Sequence, residues 1–171
     1  RFLDTRSAGT MGELIQLEIG RTLFDKKDYP NARNNIAQFL QQYPQGPYDA
    51  DARQLLAKIY RKNKEFSKAL IVYEQTIEKY NQDKDPLKAE IVPELYFELG
   101  QMLEEAGYNA ESANAYLETV NRYNHPVTKL DTPMFIIHSH FLAGEMLYRV
   151  NNNESALAQF EKTINLYNPR Q

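Results

Sequence analysis

Tyr116-x-x-Thr119-Val120-x-x-Tyr123-Asn124 closes one segment of this chain, and the same phrase is written three more times. It stands as Ile36-x-x-Phe39-Leu40-x-x-Tyr43-Pro44, as Tyr73-x-x-Thr76-Ile77-x-x-Tyr80-Asn81 and as Phe160-x-x-Thr163-Ile164-x-x-Tyr167-Asn168. Large residues three and four apart form one face of an amphipathic helix. The copies lie 37, 43 and 44 residues apart, a period that signals stacked helical hairpins. No alternating strand pattern occurs, so the fold is expected to be all α.

Working outward, each phrase is preceded by a first helix carrying a small residue: Gly20, Ala57, Gly100 and Gly144. The second helix carries another, at Ala32, Ala69, Ser112 and Ala156. Antiparallel helices approach closely only where neither bears a bulky side chain, so these small residues are expected to face each other. A glycine inside a helix costs about 1 kcal/mol relative to alanine, and its recurrence therefore asks for a close contact. Short connections inside each hairpin force antiparallel neighbours. Asp28, Asn109 and Asn153 each offer a capping side chain ahead of a second helix.

The pattern resembles the tetratricopeptide repeat, whose 34-residue unit has small residues at positions 8 and 20 and an aromatic at 24. The resemblance covers about residues 13–168 and implies a right-handed solenoid of four hairpins, with repeats near 13–46, 50–83, 84–126 and 127–168. Residues 1–12 read as a flexible or docking segment and 169–171 as a tail. Position 27 departs from the family's alanine, being Phe39, Thr76, Thr119 and Thr163. Two insertions, Lys84–Val92 and Val127–Ile136, precede repeats three and four. Asp85-Pro86 and Thr132-Pro133 within them look like helix starts, so extended first helices or short leading helices are expected there. Pro93 then either kinks the third first helix or begins its main segment.

Bulk composition narrows the function. Hydrophobic residues make up 42%, enough for a continuous core, yet no run approaches the roughly 20 apolar residues that cross a bilayer. The chain opens at Arg1 without a signal-like segment, which reads as an excised domain or a matured form. Cysteine is absent, which removes disulfide and thiol chemistry. The net charge of −3 argues against nucleic acid, whose binders neutralise phosphates. Residues 1–62 carry ten Lys/Arg against seven Asp/Glu, and residues 63–171 carry ten against sixteen.

Chemistry is hard to find. His138-Ser139-His140 looks like a metal cue, but residues two apart on a helix point about 200° away from each other. His140 occupies a core position and His138 is expected on the groove. No phosphate loop or nucleophile elbow occurs. The twelve tyrosines fall largely on the repeat's core positions. Neither a cofactor nor a metal site is expected, and the chain reads as a non-enzyme.

What the resemblance implies instead is a concave groove lined by the first helices. Its expected binding residues are Arg21 and Phe24 in repeat one, Gln54, Lys58 and Arg61 in repeat two, Phe97, Gln101 and Glu104 in repeat three, and His138, Phe141, Glu145 and Tyr148 in repeat four. Leu14, Leu17, Asp51 and Arg149 fall on the same positions. The groove is expected to run from basic to acidic, with aromatic anchors of the kind that dominate binding energy. The alternative for Phe97 and Phe141 is sideways packing against the neighbouring first helix. No capping helix follows the last repeat, so Leu157, Phe160 and Ile164 need cover from a continuing chain, a dimer partner or a bound protein.

Gly20-Arg21 and Ala57-Lys58 lack the asparagines of chaperone-tail clamps, which sets that subclass aside. Phe39-Leu40-Gln41-Gln42-Tyr43-Pro44 and the residues to Ala52 are similar to the inter-repeat junction of bacterial envelope tetratricopeptide proteins, of the Tol–Pal coordinator and outer-membrane assembly lipoprotein type. That resemblance implies a scaffold or adaptor for another protein or peptide segment in a bacterial assembly, periplasmic or envelope-associated. The charge balance and the lack of a long apolar run lead to the expectation of no nucleic-acid partner and no membrane insertion by this segment. A peptide-binding regulatory sensor is the alternative.

Overall fold

A computed structural model describes residues 5–81, 90–123 and 132–167. Among them are eight helices and no strand. They are α1 (Thr5–Asp25), α2 (Tyr29–Gln42), α3 (Asp49–Lys62), α4 (Phe66–Asn81), α5 (Val92–Glu105), α6 (Asn109–Arg122), α7 (Met134–Arg149) and α8 (Asn153–Tyr167). They pair as four hairpins of the tetratricopeptide type. The chain divides within α4 into two compact units, Arg1–Thr76 and Ile77–Gln171.

Every hairpin closes in the same way. Residues 26–28, 63–65, 106–108 and 150–152 join its two helices. The middle residue of each joint, Lys27, Lys64, Gly107 and Asn151, has φ between 61° and 86°. The following amide then reaches back five residues to a helix carbonyl: Asp28 to Leu23, Glu65 to Tyr60, Tyr108 to Leu103 and Asn152 to Leu147, all at 2.9 Å. This left-handed closure satisfies carbonyls that the helix end leaves without partners. The four left-handed residues are themselves spaced 37, 43 and 44 apart, matching the repeated phrase. Glycine suits such a backbone best, yet only one of the four is glycine.

In the first unit α1 packs on α2, α2 on α3, and α1 also touches α3. Its core unites Leu17, Ala32, Ile36, Phe39, Ala52, Leu55 and Ile59, with the helix period visible in Ala32, Ile36 and Phe39. In the second unit α5 packs on α6, α6 on α7 and α7 on α8, and α5 touches α7. A cluster of Ala113, Tyr116, Ala143 and Met146 ties α6 to α7.

The small residues earn their place differently from the expectation of small against small. A Cβ on Gly100 would stand 2.7 Å from the Tyr116 ring, and one on Gly144 would stand 2.6 Å from the Phe160 ring. Gly20 likewise leaves room for Ile36. The glycine thus admits the large residue at position 24. The small partner at position 20 still contributes, since the Ser112 hydroxyl donates to the Gly100 carbonyl at 2.8 Å. At position 27 the threonine hydroxyls donate to the carbonyl four residues back: Thr76 to Val72, Thr119 to Ala115 and Thr163 to Gln159. A buried hydroxyl needs such a partner, and the helix itself supplies it.

Several expected starts shift. Asp28 caps α2, its carboxylate accepting the Asn31 amide. Asn109 and Asn153 are the first residues of their helices. Asn152, one residue earlier, accepts from the Ser155 amide, while Tyr108 stands at the α6 cap without a side-chain bond. Pro133 rather than Thr132 occupies the α7 cap. Pro93 lies in the first turn of α5 and so begins that helix. α5 has 14 residues, the same as α3, and most of the stretch Lys84–Val92, where an extended or leading helix was expected, lies outside the described residues. The long first helix is α1, with 21 residues. It starts well ahead of the boundary drawn at residue 13, because Thr5–Gly12 contains glycines but no proline to stop it. Asp85-Pro86 lies outside the described residues.

Candidate protein-binding faces

Within the first unit, α1 and α3 present the expected groove residues on neighbouring helices. Arg21 bridges them, its guanidinium meeting Asp51 at 2.6 Å and Glu18 on its own helix at 2.8 Å. Phe24 is half-buried, with its ring 5.6 Å from Tyr29. Gln54, Lys58 and Arg61 are half-buried along α3. Leu17 was expected on the groove and is instead fully buried. It lies in the same core as Ile36 and Phe39 of α2 and Ile59 of α3.

Within the second unit, α5 and α7 are joined in an analogous way. Glu104 accepts Arg149 at 3.2 Å and also the Tyr116 hydroxyl at 3.2 Å. Gln101 is half-buried beside them. Phe97 packs sideways, its ring 5.8 Å from Tyr116 and 6.0 Å from Phe135 at the start of α7. It belongs to the interior more than to an open surface. Phe141 keeps 43% of its surface exposed while its ring lies 6.0 Å from Phe160. Tyr148 is 65% exposed. Together Glu145, Tyr148, Arg149 and Phe160 line a shallow cavity of about 310 Å³.

The two histidines of the His-Ser-His triplet part company. His138 is exposed. His140 is buried, with Nδ1 2.8 Å from Gln159 Oε1, and a proton on Nδ1 satisfies that contact. Burial lowers its pKa, the Gln159 bond opposes that, and Lys162 pushes the same way as burial. Among the described residues no group of three or more His, Cys, Asp or Glu side chains could hold a metal. Nor is any helix there long and apolar enough to cross a membrane.

At the far end of the second unit the expected trio divides. Leu157 and Ile164 are exposed, joined by Tyr167, whereas Phe160 turns inward onto Gly144 and Phe141. A further apolar stripe went unnoticed in the sequence. Met11, Ile15 and Ile19 recur every four residues on α1 and are all exposed. Their spacing was the available signal, but it reads equally well as a core face.

Hairpins with a small residue at position 8 and a large one at 24 have the tetratricopeptide-type fold. Residues 16–90 match the family described as YfiO, outer membrane lipoprotein. No curated protein sequence is similar to the chain at a significant level. Among solved structures, a tetratricopeptide repeat protein from Parabacteroides merdae is similar with TM-score 0.69 and 15% identity over 94% of this chain. This chain spans 55% of that protein. BtubC from P. vanneervenii is similar with TM-score 0.76 and 13% identity, covering 93% of this chain and 67% of its own. MamA from Desulfovibrio magneticus RS-1 gives 0.65 and 19%, covering 90% and 75%. At these identities the likeness concerns the fold.

Proposed function

We propose that the chain is a protein-interaction scaffold of the bacterial envelope, and that it grips a polypeptide segment on the α7 face of its second unit. The observation that carries this reading is the cavity bordered by Glu145, Tyr148, Arg149 and Phe160. There an exposed tyrosine and a half-buried carboxylate stand side by side on α7. Tyrosine combines a broad apolar ring with a polar hydroxyl and is enriched in binding hot spots. Glu145 selects a basic side chain whose apolar stem lies along the Tyr148 ring. Envelope placement rests on the family match over residues 16–90. Catalysis has no place in this reading, since the face offers anchors and charges but no activated nucleophile or acid–base pair.

The test is site-specific photocrosslinking in envelope fractions, with the crosslinker at Tyr148 and, as control, at exposed Asn114 on α6. A discrete adduct from Tyr148 that is absent from Asn114 supports the reading. Equal adducts from both positions, or none from Tyr148, overturn it.

A further inference from the structure

The repeat supplies its own template for what covers an exposed helix. Within each unit a later first helix receives the second helix of the hairpin before it: α3 receives α2, and α7 receives α6. Ile15 stands at the repeat position of Ala52, Leu95 and Ser139, each 0% exposed, yet is itself 54% exposed. Ile19 corresponds to the half-buried Leu56 and to Leu99 and Ala143, at 7% and 0%, and is 47% exposed. α1 therefore carries a receiving face that no other described residue fills, around a depression of about 440 Å³ that Leu14 and Leu23 also line.

α8 carries the opposite half. Leu157, Ile164 and Tyr167 stand at the repeat positions of Ala113 and Val120 on α6 and of Tyr123, which caps it. Ala113 is covered and Tyr123 half-buried, whereas their α8 counterparts are each 59% exposed and Ile164 is 66% exposed. One contact of the α6–α7 interface shows how the halves meet. Tyr123 lies edge-on to Phe135, with ring centroids 6.3 Å apart, and Met11 is the α1 counterpart of Phe135.

We propose that α8 of a second copy of this chain docks on α1, continuing the interface established between α6 and α7. In that register Tyr167 of one molecule covers Met11 of the other, a favourable sulfur–aromatic contact, and Leu157 and Ile164 bury Ile15 and Ile19. The two patches differ, so the contact is heterologous and runs head to tail.

Sedimentation velocity of the 171-residue chain over a range of concentrations tests this, beside two double variants. Ile15→Glu/Ile19→Glu removes the receiving face, and Leu157→Glu/Ile164→Glu removes the docking face. All four sites are exposed, so helicity and unfolding midpoint should match the wild type. The wild type should grow in mass with concentration, and each double variant should associate about tenfold more weakly or worse. Mixed together, the two variants should form a one-to-one complex and stop, because each keeps the face that the other lacks. A monomeric wild type overturns the proposal. So does a variant pair that fails to combine, or a single double variant that still self-associates like the wild type.

Discussion

Tyr116 occupies the space that a side chain on Gly100 would need, and the same tyrosine sends its hydroxyl to Glu104 one turn further along α5. One residue thereby sets the spacing of a hairpin and helps hold the Glu104 carboxylate beside Arg149. Gly100→Ala gains about 1 kcal/mol of helix propensity but must displace a rigid ring, and overpacking of that kind costs about 1–3 kcal/mol. The net effect is expected to be a loss. Gly20→Ala meets the movable end of Ile36 instead and should lose less. Urea midpoints of the two variants check the order.

The left-handed joints offer a gain. Lys27 and Lys64 hold φ of 61° and 62°, where a side chain crowds the backbone by about 1–2 kcal/mol. Lys27→Gly and Lys64→Gly are expected to raise stability by a few tenths to about 1 kcal/mol, offset in part by the greater freedom of glycine in the unfolded chain. Gly107→Ala should lower it. Denaturant unfolding of the three variants measures all of these.

His140 should make stability fall in mild acid. Its folded pKa is lowered from 6.5, first by burial, so the unfolded chain takes up a proton before the folded one does. The histidine's contribution is therefore intact above about pH 6.5 and is lost progressively as pH falls below that value toward the folded pKa. An NMR titration that finds the His140 imidazole protonating at or above 6.5 would refute this.

Arg149 is predicted to mask rather than to bind. Its pair with Glu104 is partly exposed, at 46% and 28%, so a double-mutant cycle should give less than about 1 kcal/mol of coupling. Arg149→Met leaves Glu104 and Glu145 without the nearby cation. A basic peptide captured through Tyr148 should then bind more tightly, and calorimetry with wild type and variant checks the direction.

The architecture was legible because its signals are local and repeated. Period, small position 8 and large position 24 each depend on residues within one hairpin. Less legible was everything that joins one hairpin to the next. Arg21 and Asp51 are 30 residues apart and Glu104 and Arg149 are 45 apart, so counting charge along the chain predicted a graded groove whose charges are partly spent on each other. Leu17 was placed on the groove because family positions fix a direction only to within a helical turn, and the Ile36–Phe39–Ile59 cluster decided it. The caps at Asn152 and Pro133 were misplaced by one residue, since neighbouring asparagines or a Thr-Pro pair offer equivalent starts. The stripe on α1 could not be distinguished from core until its neighbours were known.

The invariant three-residue joint confines where such a chain can change length. Adding one residue at 26–28 or 63–65 would turn the second helix by about 100° and present the wrong side chains to its partner. The intervals between hairpins, 43–48, 82–91 and 123–133, already differ in length without disturbing any hairpin closure. A hairpin is thus an inheritable cassette, bounded at its outer edges rather than at its bend. Duplication, deletion or the grafting of a foreign epitope should succeed when the cut falls between cassettes and fail when it falls inside one.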